Sequence, residues 1–413
     1  MTDHARVNSN VDFSTAFTST NANDFRHNDD LIWQANALRF LQDYMLPSDV
    51  AGLAVHFAPM VWNDVLNCHL CYSSIDAYRA ILSVGPGSNG NLQALATDPF
   101  SAVTYGAEMP IAVMANTSTG YQYSVQMEAF SGCTYSPVIA SSPDMETWTE
   151  RGIVDSLGAF NYCRVSPQRV SASAFVIPMT GDTTRQPGII LMKTGSAGAL
   201  TSATYGQMTG STEGQCCALA TDGAIAIAAN DSDDTYLLAC DCSAGTFSTI
   251  SVPTVPDALT TDHYLAYDST RSWFIRMGVM TSGGADSLVW SRSSDGTTWT
   301  DDWYYVSPLT RTSSSGTLTI DDVTVTSDGL WVVIARESAG TLLKNLLVLS
   351  SQDGGATWNK TSIGTFLTGT LDAQLRFSSG GPTLVVTGVI NSYLRVLSGG
   401  IRSTGNSFTA LSL

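Results

Sequence analysis

Lysine is almost missing from this chain of 413 residues, since only three of its 19 basic residues are lysines: Lys193, Lys344 and Lys360. Against 36 acidic residues the net charge is −17, and the basic residues form no cluster. Proteins that grip phosphate backbones normally present such a cluster. The composition therefore argues against sequence-specific nucleic-acid binding, although an acidic surface is compatible with a passage along which DNA slides.

Long apolar segments are also missing. The first ten residues are polar and contain Asp3, His4 and Arg6, so they lack the apolar core of a secretory signal. The longest apolar runs, such as 331–335, are strand-sized and fall far short of the roughly 20 residues that cross a bilayer. We therefore predict no membrane insertion and synthesis without classical secretion.

Motifs for metals, cofactors and catalysis are equally scarce. None of the five histidines is paired at metal or triad spacing, and Asp262-His263 is typical of a solvated loop. The acidic pairs 301–302 and 321–322 have the composition of glycosidase carboxylates but are typical of turns. The acidic segment 230–234 lacks the spacing of an EF-hand. We predict no cofactor and no bound metal.

Eight cysteines are present, and six of them lie in close pairs: Cys68 and Cys71, Cys216 and Cys217, Cys240 and Cys242. No second CxxC or histidine pair follows at zinc-finger distance. On a strand, Cys240 and Cys242 would point to one face and Cys216 and Cys217 to opposite faces. We expect buried free thiols, with disulfides and a metal site as the alternatives.

What the chain does have, from about residue 51 onward, is a succession of short strands separated by Gly, Ser, Asp and Asn. Examples are 174–179, 224–229, 331–335 and 383–389. Three of the connecting segments share one frame: Ser142-Pro-Asp144-Met-Glu-Thr147-Trp148, Ser293-Ser-Asp295-Gly-Thr-Thr298-Trp299 and Ser351-Gln-Asp353-Gly-Gly355-Ala-Thr357-Trp358. Such internal repeats indicate a repeated structural unit.

The third segment fits the pattern S-x-D-x-G-x-T-W at every fixed position, and the other two are one residue shorter. This resembles the Asp-box (bacterial neuraminidase repeat) β-propellers, a family that includes sialidases, and the resemblance implies a hairpin between the third and fourth strands of a blade. The Asp can accept backbone N–H groups of its own turn, and Gly supplies positive φ. The box residues predicted to be structural are Ser142, Asp144, Trp148, Ser293, Asp295, Trp299, Ser351, Asp353, Gly355 and Trp358.

Weaker copies place an aromatic residue at Phe100, Phe247 and Phe408, so the aromatic positions recur at intervals of roughly 50 residues with one gap about twice as long. A degenerate unit near 194–201 fills that gap. The sequence therefore predicts an all-β fold, a β-propeller of seven four-stranded blades, with six or eight blades as alternatives.

Residues 1–50 differ from the rest of the chain. A polar arm precedes a helix that Asn28 caps and Pro47 ends, with Leu31, Ala35, Leu38, Leu41 and Met45 on one face. We predict an arm and an amphipathic helix in 1–50 and a propeller in 51–413. The helix docks either on its own propeller or on a neighbouring subunit or scaffold, through the candidate residues Leu31, Trp33, Leu38, Phe40, Leu41 and Tyr44.

The resemblance to sialidases implies an arginine triad, whose first member lies in an Arg-Ile-Pro motif. This chain has no Arg-Ile-Pro, and Arg79, the nearest candidate in position, looks like an ordinary strand residue. None of the 15 tyrosines has the distinctive setting of the family's nucleophile. We therefore predict that the chain is not an enzyme.

These features favour a bacteriophage structural protein, a tail or vertex component (nozzle, hub, fibre or decoration), located in a virion that is assembled in the host cytoplasm. Its expected partners are other virion proteins and copies of itself. The main alternative is a carbohydrate-binding or sialidase-like propeller that contacts a host surface glycan through exposed loop aromatics, Trp303, Tyr304 and Tyr305. A third is an extracellular, receptor-like propeller.

Overall fold

The computed structural model describes residues 55–408 apart from short segments between strands, the longest of which are 85–92, 98–106, 154–159 and 368–375. The predicted arm and helix, including all the candidate docking residues, lie outside the described residues, as does Phe100. A 3₁₀ turn at Ser196–Gly198 is the helical element within the described part. No helix there has the length and apolarity that a membrane crossing requires.

The first half of the chain forms three antiparallel sheets, numbered in chain order. Sheet 1 contains β1 (Val55–Phe57), β2 (Val61–Asn63), β3 (Cys68–Ile75), β4 (Tyr78–Val84) and β5 (Gln93–Thr97). Sheet 2 contains β6 (Ala107–Ala115), β7 (Gln122–Phe130), β8 (Thr134–Ser142) and β9 (Thr149–Ile153). Sheet 3 contains β10 (Phe160–Asn161), β11 (Gln168–Ser171), β12 (Ala174–Gly181), β13 (Pro187–Thr194) and β14 (Leu200–Gln207).

The second half continues in the same way. Sheet 4 contains β15 (Cys216–Thr221), β16 (Ile225–Asn230), β17 (Tyr236–Asp241) and β18 (Thr246–Ser251). Sheet 5 contains β19 (Leu259–Asp268), β20 (Trp273–Ser282), β21 (Ala285–Ser293) and β22 (Tyr304–Arg311). Sheet 6 contains β23 (Leu318–Val325), β24 (Trp331–Ala339), β25 (Leu343–Ser351) and β26 (Asn359–Leu367). Sheet 7 contains β27 (Arg376–Gly380), β28 (Thr383–Ile390) and β29 (Tyr393–Gly400), and β30 (Ser403–Thr404) pairs with β31 (Ser407–Phe408).

In each sheet the strands pair in sequence order, except that β1 and β2 both pair with β3 and that β10 and β11 both pair with β12. Each sheet contacts the next. The inner strands mediate several of these contacts, as β15 does with β19 and β19 with β23, and β27 contacts β2 so that the series returns to sheet 1. The chain is therefore an all-β propeller, as predicted. The count of seven blades stays a prediction, because sheet 7 has three described strands rather than four.

The core lies between successive sheets rather than in one central cluster. Middle strands such as β12 and β16 are buried along nearly their whole length because neighbouring sheets cover both faces. Outer strands such as β14 and β18 are rich in Thr and Ser and alternate towards solvent. The predicted strands at 174–179, 224–229, 331–335 and 383–389 correspond to β12, β16, β24 and β28 within two residues at the start.

Antiparallel order puts two kinds of turn on one face of the propeller. The turns from first to second strand and from third to fourth strand lie at the same end of each sheet, and we call this the box face. Neighbouring sheets are joined there by hydrogen bonds, for example from Asn116 Nδ2 to Thr194 Oγ1 at 3.0 Å and from Arg151 Nη2 to the Ala197 carbonyl at 2.8 Å. These contacts fix adjacent blades relative to one another.

A second set of contacts joins the inner strands. The pairing of β15 with β16 shifts at Cys217, and that of β23 with β24 shifts at Asp321, so each inner strand carries a bulge. Close to these bulges Cys217 Sγ donates to the His263 carbonyl at 3.1 Å, and Tyr264 Oη donates to the Ile320 carbonyl at 2.6 Å. Adjacent sheets are therefore hydrogen-bonded at two levels.

Candidate functional site

The three Asp-box turns share one hydrogen-bond arrangement. In the second box Asp295 Oδ1 accepts the backbone N–H groups of Thr297 and Thr298 at 2.8 and 2.6 Å. Ser293 Oγ donates to the same carboxylate at 3.0 Å and accepts the Gly296 N–H at 2.9 Å. The first and third boxes repeat this arrangement around Asp144 and Asp353. The box carboxylates thus hold their own turns together.

Each box tryptophan folds back onto its turn. Trp299 Nε1 donates to the Gly296 carbonyl at 3.0 Å, and Trp358 Nε1 donates to the Gly355 carbonyl at 3.0 Å. The accepting residue has positive φ in both boxes, 72° and 86°, and so has Met145 in the first box, with 67°. Trp299 is buried in the cluster between sheets 4 and 5, and Trp358 in the cluster between sheets 5 and 6. Both tryptophans therefore pack between neighbouring sheets.

The carboxylate of Asp295 is strongly stabilised in its ionised form. Burial acts to raise its pKa, but the N–H groups of Thr298 and Thr297 outweigh burial and lower the pKa to about 2. The pKa of Asp353 is also lowered, because hydrogen bonds from Thr357 and Ser351 outweigh the effect of burial. A carboxylate held in this way is a structural anion and a poor proton donor at neutral pH.

Three of the four weaker repeat units lie at turns or hairpins that the structure describes. The β13–β14 connection spans the 3₁₀ turn at Ser196–Gly198, within the predicted interval 194–201. The β17–β18 turn is built on Asp241, whose Oδ1 accepts the N–H groups of Ser243 and Ala244 at 2.9 Å each. Phe408 ends the short β30–β31 hairpin.

A buried carboxylate that the sequence did not single out connects sheets 5 and 6. Asp268 has a fully buried side chain and accepts Trp331 Nε1 at 2.7 Å, Arg271 Nη1 at 2.7 Å and Thr270 Oγ1 at 2.6 Å. Arg271 continues to the carbonyls of Gly329 and Gln352, at 3.1 and 2.8 Å. Burial acts to raise the pKa of Asp268, but these hydrogen bonds outweigh it and hold it below the ordinary value.

Two further buried polar groups correct the sequence interpretation. His263, expected in a solvated loop, is 1% exposed on β19, and its Nδ1 lies 3.4 Å from Arg276 Nη2. Asp321, expected in a turn, is a fully buried strand residue, and its carboxylate pairs with Arg336 Nη2 at 2.5 Å. The bulges explain both errors, because they interrupt the alternation by which a strand is recognised in sequence.

The aromatic triplet 303–305 is divided between two faces. Tyr304 and Tyr305 belong to strand β22 rather than to a loop, so their side chains point in opposite directions. Tyr304 stacks on Trp290, with ring centroids 4.6 Å apart. Tyr305 is 58% exposed, and its hydroxyl lies 4.0 Å from Met280 Sδ, beside the half-buried Trp303. Tyr304 is itself 39% exposed, so both tyrosines reach the surface, and Tyr305 is the more exposed of the two, beside the half-buried Trp303.

Trp303 itself also contacts buried residues beneath the surface. The Arg276 guanidinium lies over its ring at 5.3 Å from the centroid, a cation–π contact between a fully buried cation and a half-buried indole. Trp303 also packs against Met280 and Val289. The residue therefore supports the sheet as well as bordering the exposed Tyr305.

Among the cysteines whose side chains the structure describes, four are buried free thiols, as predicted: Cys216, Cys217, Cys240 and Cys242. The Cys240 and Cys242 thiols interact directly, and this hydrogen bond raises the pKa of Cys240 and lowers that of Cys242. No group of three or more His, Cys, Asp or Glu side chains with metal-binding geometry occurs among the residues that the structure describes.

Comparison with known proteins gives similarity in structure only. No protein-family model matches the chain, and no curated protein matches it. Similar solved structures include a PL25 ulvan lyase (TM-score 0.46, 10% identity, 84% of this chain and 93% of that chain). They also include the Hadza microbial sialidase Hz136 (0.39, 10%, 86% and 68%) and the WD40 domain of Toxoplasma gondii coronin (0.43, 6%, 85% and 83%). These neighbours are β-propeller proteins, two of them enzymes, and at such identities they carry no information on activity.

Proposed function

We propose that this chain is a non-catalytic structural protein of a virus particle, a bacteriophage tail or vertex component whose propeller serves as an assembly or binding platform. The observation that carries the proposal is the set of partners that the buried charged side chains have. Asp268 with Arg271, and Asp321 with Arg336, hold strands and sheets together. Charge used in this way supports a rigid platform.

The composition supports the same proposal. The chain is nearly free of lysine, carries a net charge of −17 and is rich in Ser, Thr and Gly. Residues 1–50 supply an arm and a predicted apolar helix that a particle can hold, while the propeller faces a partner protein, DNA or the host. On this proposal the partners are other virion proteins and further copies of the chain, and the location is a virion assembled in the host cytoplasm.

Incorporation into the particle tests the anchoring role of residues 1–50. Deletion of these residues is expected to leave a folded propeller that no longer enters particles. Leu38→Asp, on the apolar face of the predicted helix, should reproduce the loss, whereas Asn36→Asp, on the opposite face by its spacing, should not. Normal incorporation of the deleted chain would contradict the proposal.

The alternative function, recognition of a surface glycan, is supported by one observation, the exposure of Tyr305 beside Trp303. Because Trp303 also packs beneath the surface, Tyr305→Ala is the cleaner substitution. Glycan-array binding that Tyr305→Ala abolishes would favour this function over the first. Tyr304→Ala, on the other face of the same strand, is the matched control and should leave such binding unchanged.

Catalysis is tested separately. Incubation of the purified full-length chain with a fluorogenic sialoside is expected to release no fluorophore above the buffer rate. Release that scales with protein concentration and survives repurification would overturn the non-catalytic proposal.

A further inference from the structure

The last residues of β17 and the turn after it place two thiols side by side. Cys240 and Cys242 are two positions apart, and both lie in the apolar cluster between sheets 3 and 4 that also contains Leu191 and Leu238. Both are buried, neither is in a disulfide, and Cys242 Sγ lies 3.8 Å from the Cys240 carbonyl oxygen. The two sulfur atoms therefore lie in one apolar cluster.

We propose that Cys240 and Cys242 bind one soft monovalent cation of the Cu(I) class between their sulfur atoms. Thiolates are the ligands that soft cations prefer, and Cu(I) is satisfied by two of them. Zinc would need four ligands in a tetrahedron, which this pair with its apolar surroundings does not offer. The site thus selects by ligand softness and by ligand number together.

One cation and two carboxylates act electrostatically on the pair. On binding, each thiol releases its proton to solvent, so two thiolates and one Cu(I) leave a net charge of −1. Lys193, on the adjacent strand of sheet 3, acts electrostatically on Cys240, and its Nζ donates to the Ser243 carbonyl at 3.1 Å. Its positive charge offsets that of the complex.

Two carboxylates act against ionisation of the pair, because their negative charge acts to raise the pKa of Cys242. Asp222 and Asp241 both act electrostatically on Cys242, and each is held at the box face by backbone N–H groups of its own turn. As hard oxygen ligands they do not compete with sulfur for a soft ion. They do raise the local concentration of cations at the turn above the thiols.

Titration of the reduced full-length chain with Cu(I), delivered without oxygen against a chromogenic Cu(I) chelator, tests the site. The wild type is expected to withdraw one more Cu(I) per chain than either Cys240→Ser or Cys242→Ser. Removing a direct ligand should weaken the site by more than about 100-fold, since supporting residues alone change metal affinity by roughly 10- to 100-fold. The measurement is repeated in a Cys68→Ser, Cys71→Ser background because that pair is a competing dithiol.

Cys216→Ser is the matched control, a buried thiol of the same cluster on another strand, and should keep the bound ion. Equal uptake by the wild type and both serine variants, or loss of the ion in Cys216→Ser as well, would overturn the proposal. Should the serine variants fail to fold, X-ray absorption at the copper edge of the Cys68→Ser, Cys71→Ser protein decides. Two sulfur neighbours support the site, and a shell of nitrogen and oxygen refutes it.

Discussion

At the scale of single residues, two tryptophans between sheets 5 and 6 differ in whether their indole N–H groups are hydrogen-bonded. Trp331 and Trp290 meet edge to face, with ring centroids 5.0 Å apart. Trp331 Nε1 donates to the buried Asp268 carboxylate at 2.7 Å, whereas Trp290 Nε1 is buried without a hydrogen-bond partner among the described residues. The pair therefore separates the contribution of packing from that of one charge-assisted hydrogen bond.

We predict that Trp331→Phe lowers the free energy of unfolding by about 1.5–3 kcal/mol more than Trp290→Phe does. The first substitution removes a hydrogen bond to a charged group, while the second relieves an unpaired N–H. Urea unfolding of both variants, followed by circular dichroism, measures the difference. Equal losses in the two variants would show that the Asp268 hydrogen bond contributes nothing.

The Asp295 carboxylate leads to a prediction about pH. Its folded pKa of about 2 lies below the unfolded value of about 3.9. Its contribution to stability is therefore complete above the unfolded pKa and is lost as the pH falls through the folded pKa. Asp295→Asn keeps an acceptor for Thr297 and Thr298 but does not titrate. The gap in unfolding free energy between wild type and Asp295→Asn should narrow as the pH falls from about 5 to about 2, and a constant gap would contradict it.

What could be predicted at this scale depended on sequence distance. Every hydrogen bond of an Asp box joins residues within a few positions, so the role of Asp295 and Asp353 was visible in the sequence. Asp268 receives Trp331 from 63 positions away, and nothing in the sequence signals that pairing. Only the local Asp268-x-Thr270 turn is a recognisable motif.

At the scale of elements, a glycine on an outer strand allows an aromatic ring of the next sheet to pack against that strand. Gly206 on β14 lies against the ring of Phe247 on β18, so closely that a Cβ atom there would overlap the ring. Phe247 is the residue that takes the place of the box tryptophan in sheet 4. The two outer strands can approach one another only because position 206 has no side chain.

Gly206→Ala is expected to destabilise the protein by about 1–3 kcal/mol through overpacking. Phe247→Leu combined with Gly206→Ala should recover part of the loss, with a coupling of about 0.5–3 kcal/mol in thermal unfolding. Strictly additive losses would mean that the ring and the glycine do not meet.

Strand positions were readable wherever both faces of a strand are buried, as in β12, β16 and the start of β24, because these are continuous apolar runs. The inner strands β19 and β23 were harder to read. Their bulges and buried polar residues, His263 and Asp321, imitate loop and turn sequences. Tyr304 and Tyr305, expected in a loop, begin strand β22.

At the scale of the whole molecule, the charge balance should govern the response to salt. With a net charge of −17 and only 19 basic residues, repulsion between carboxylates outweighs attraction. Raising NaCl from about 20 to about 300 mM shortens the screening length from roughly 20 to below 10 Å. We predict that the melting temperature rises over this range, and that KCl gives the same rise. A fall on adding salt would show that surface ion pairs dominate instead.

The contact between β27 and β2 has a mechanical consequence. Among the described strands none is hydrogen-bonded across this junction, so sheets 1 and 7 meet without sharing a strand. Tension applied between the two ends of the propeller would load this seam before it reached any ladder of hydrogen bonds. The propeller would then open between sheets 1 and 7, while the strands within each sheet stayed paired.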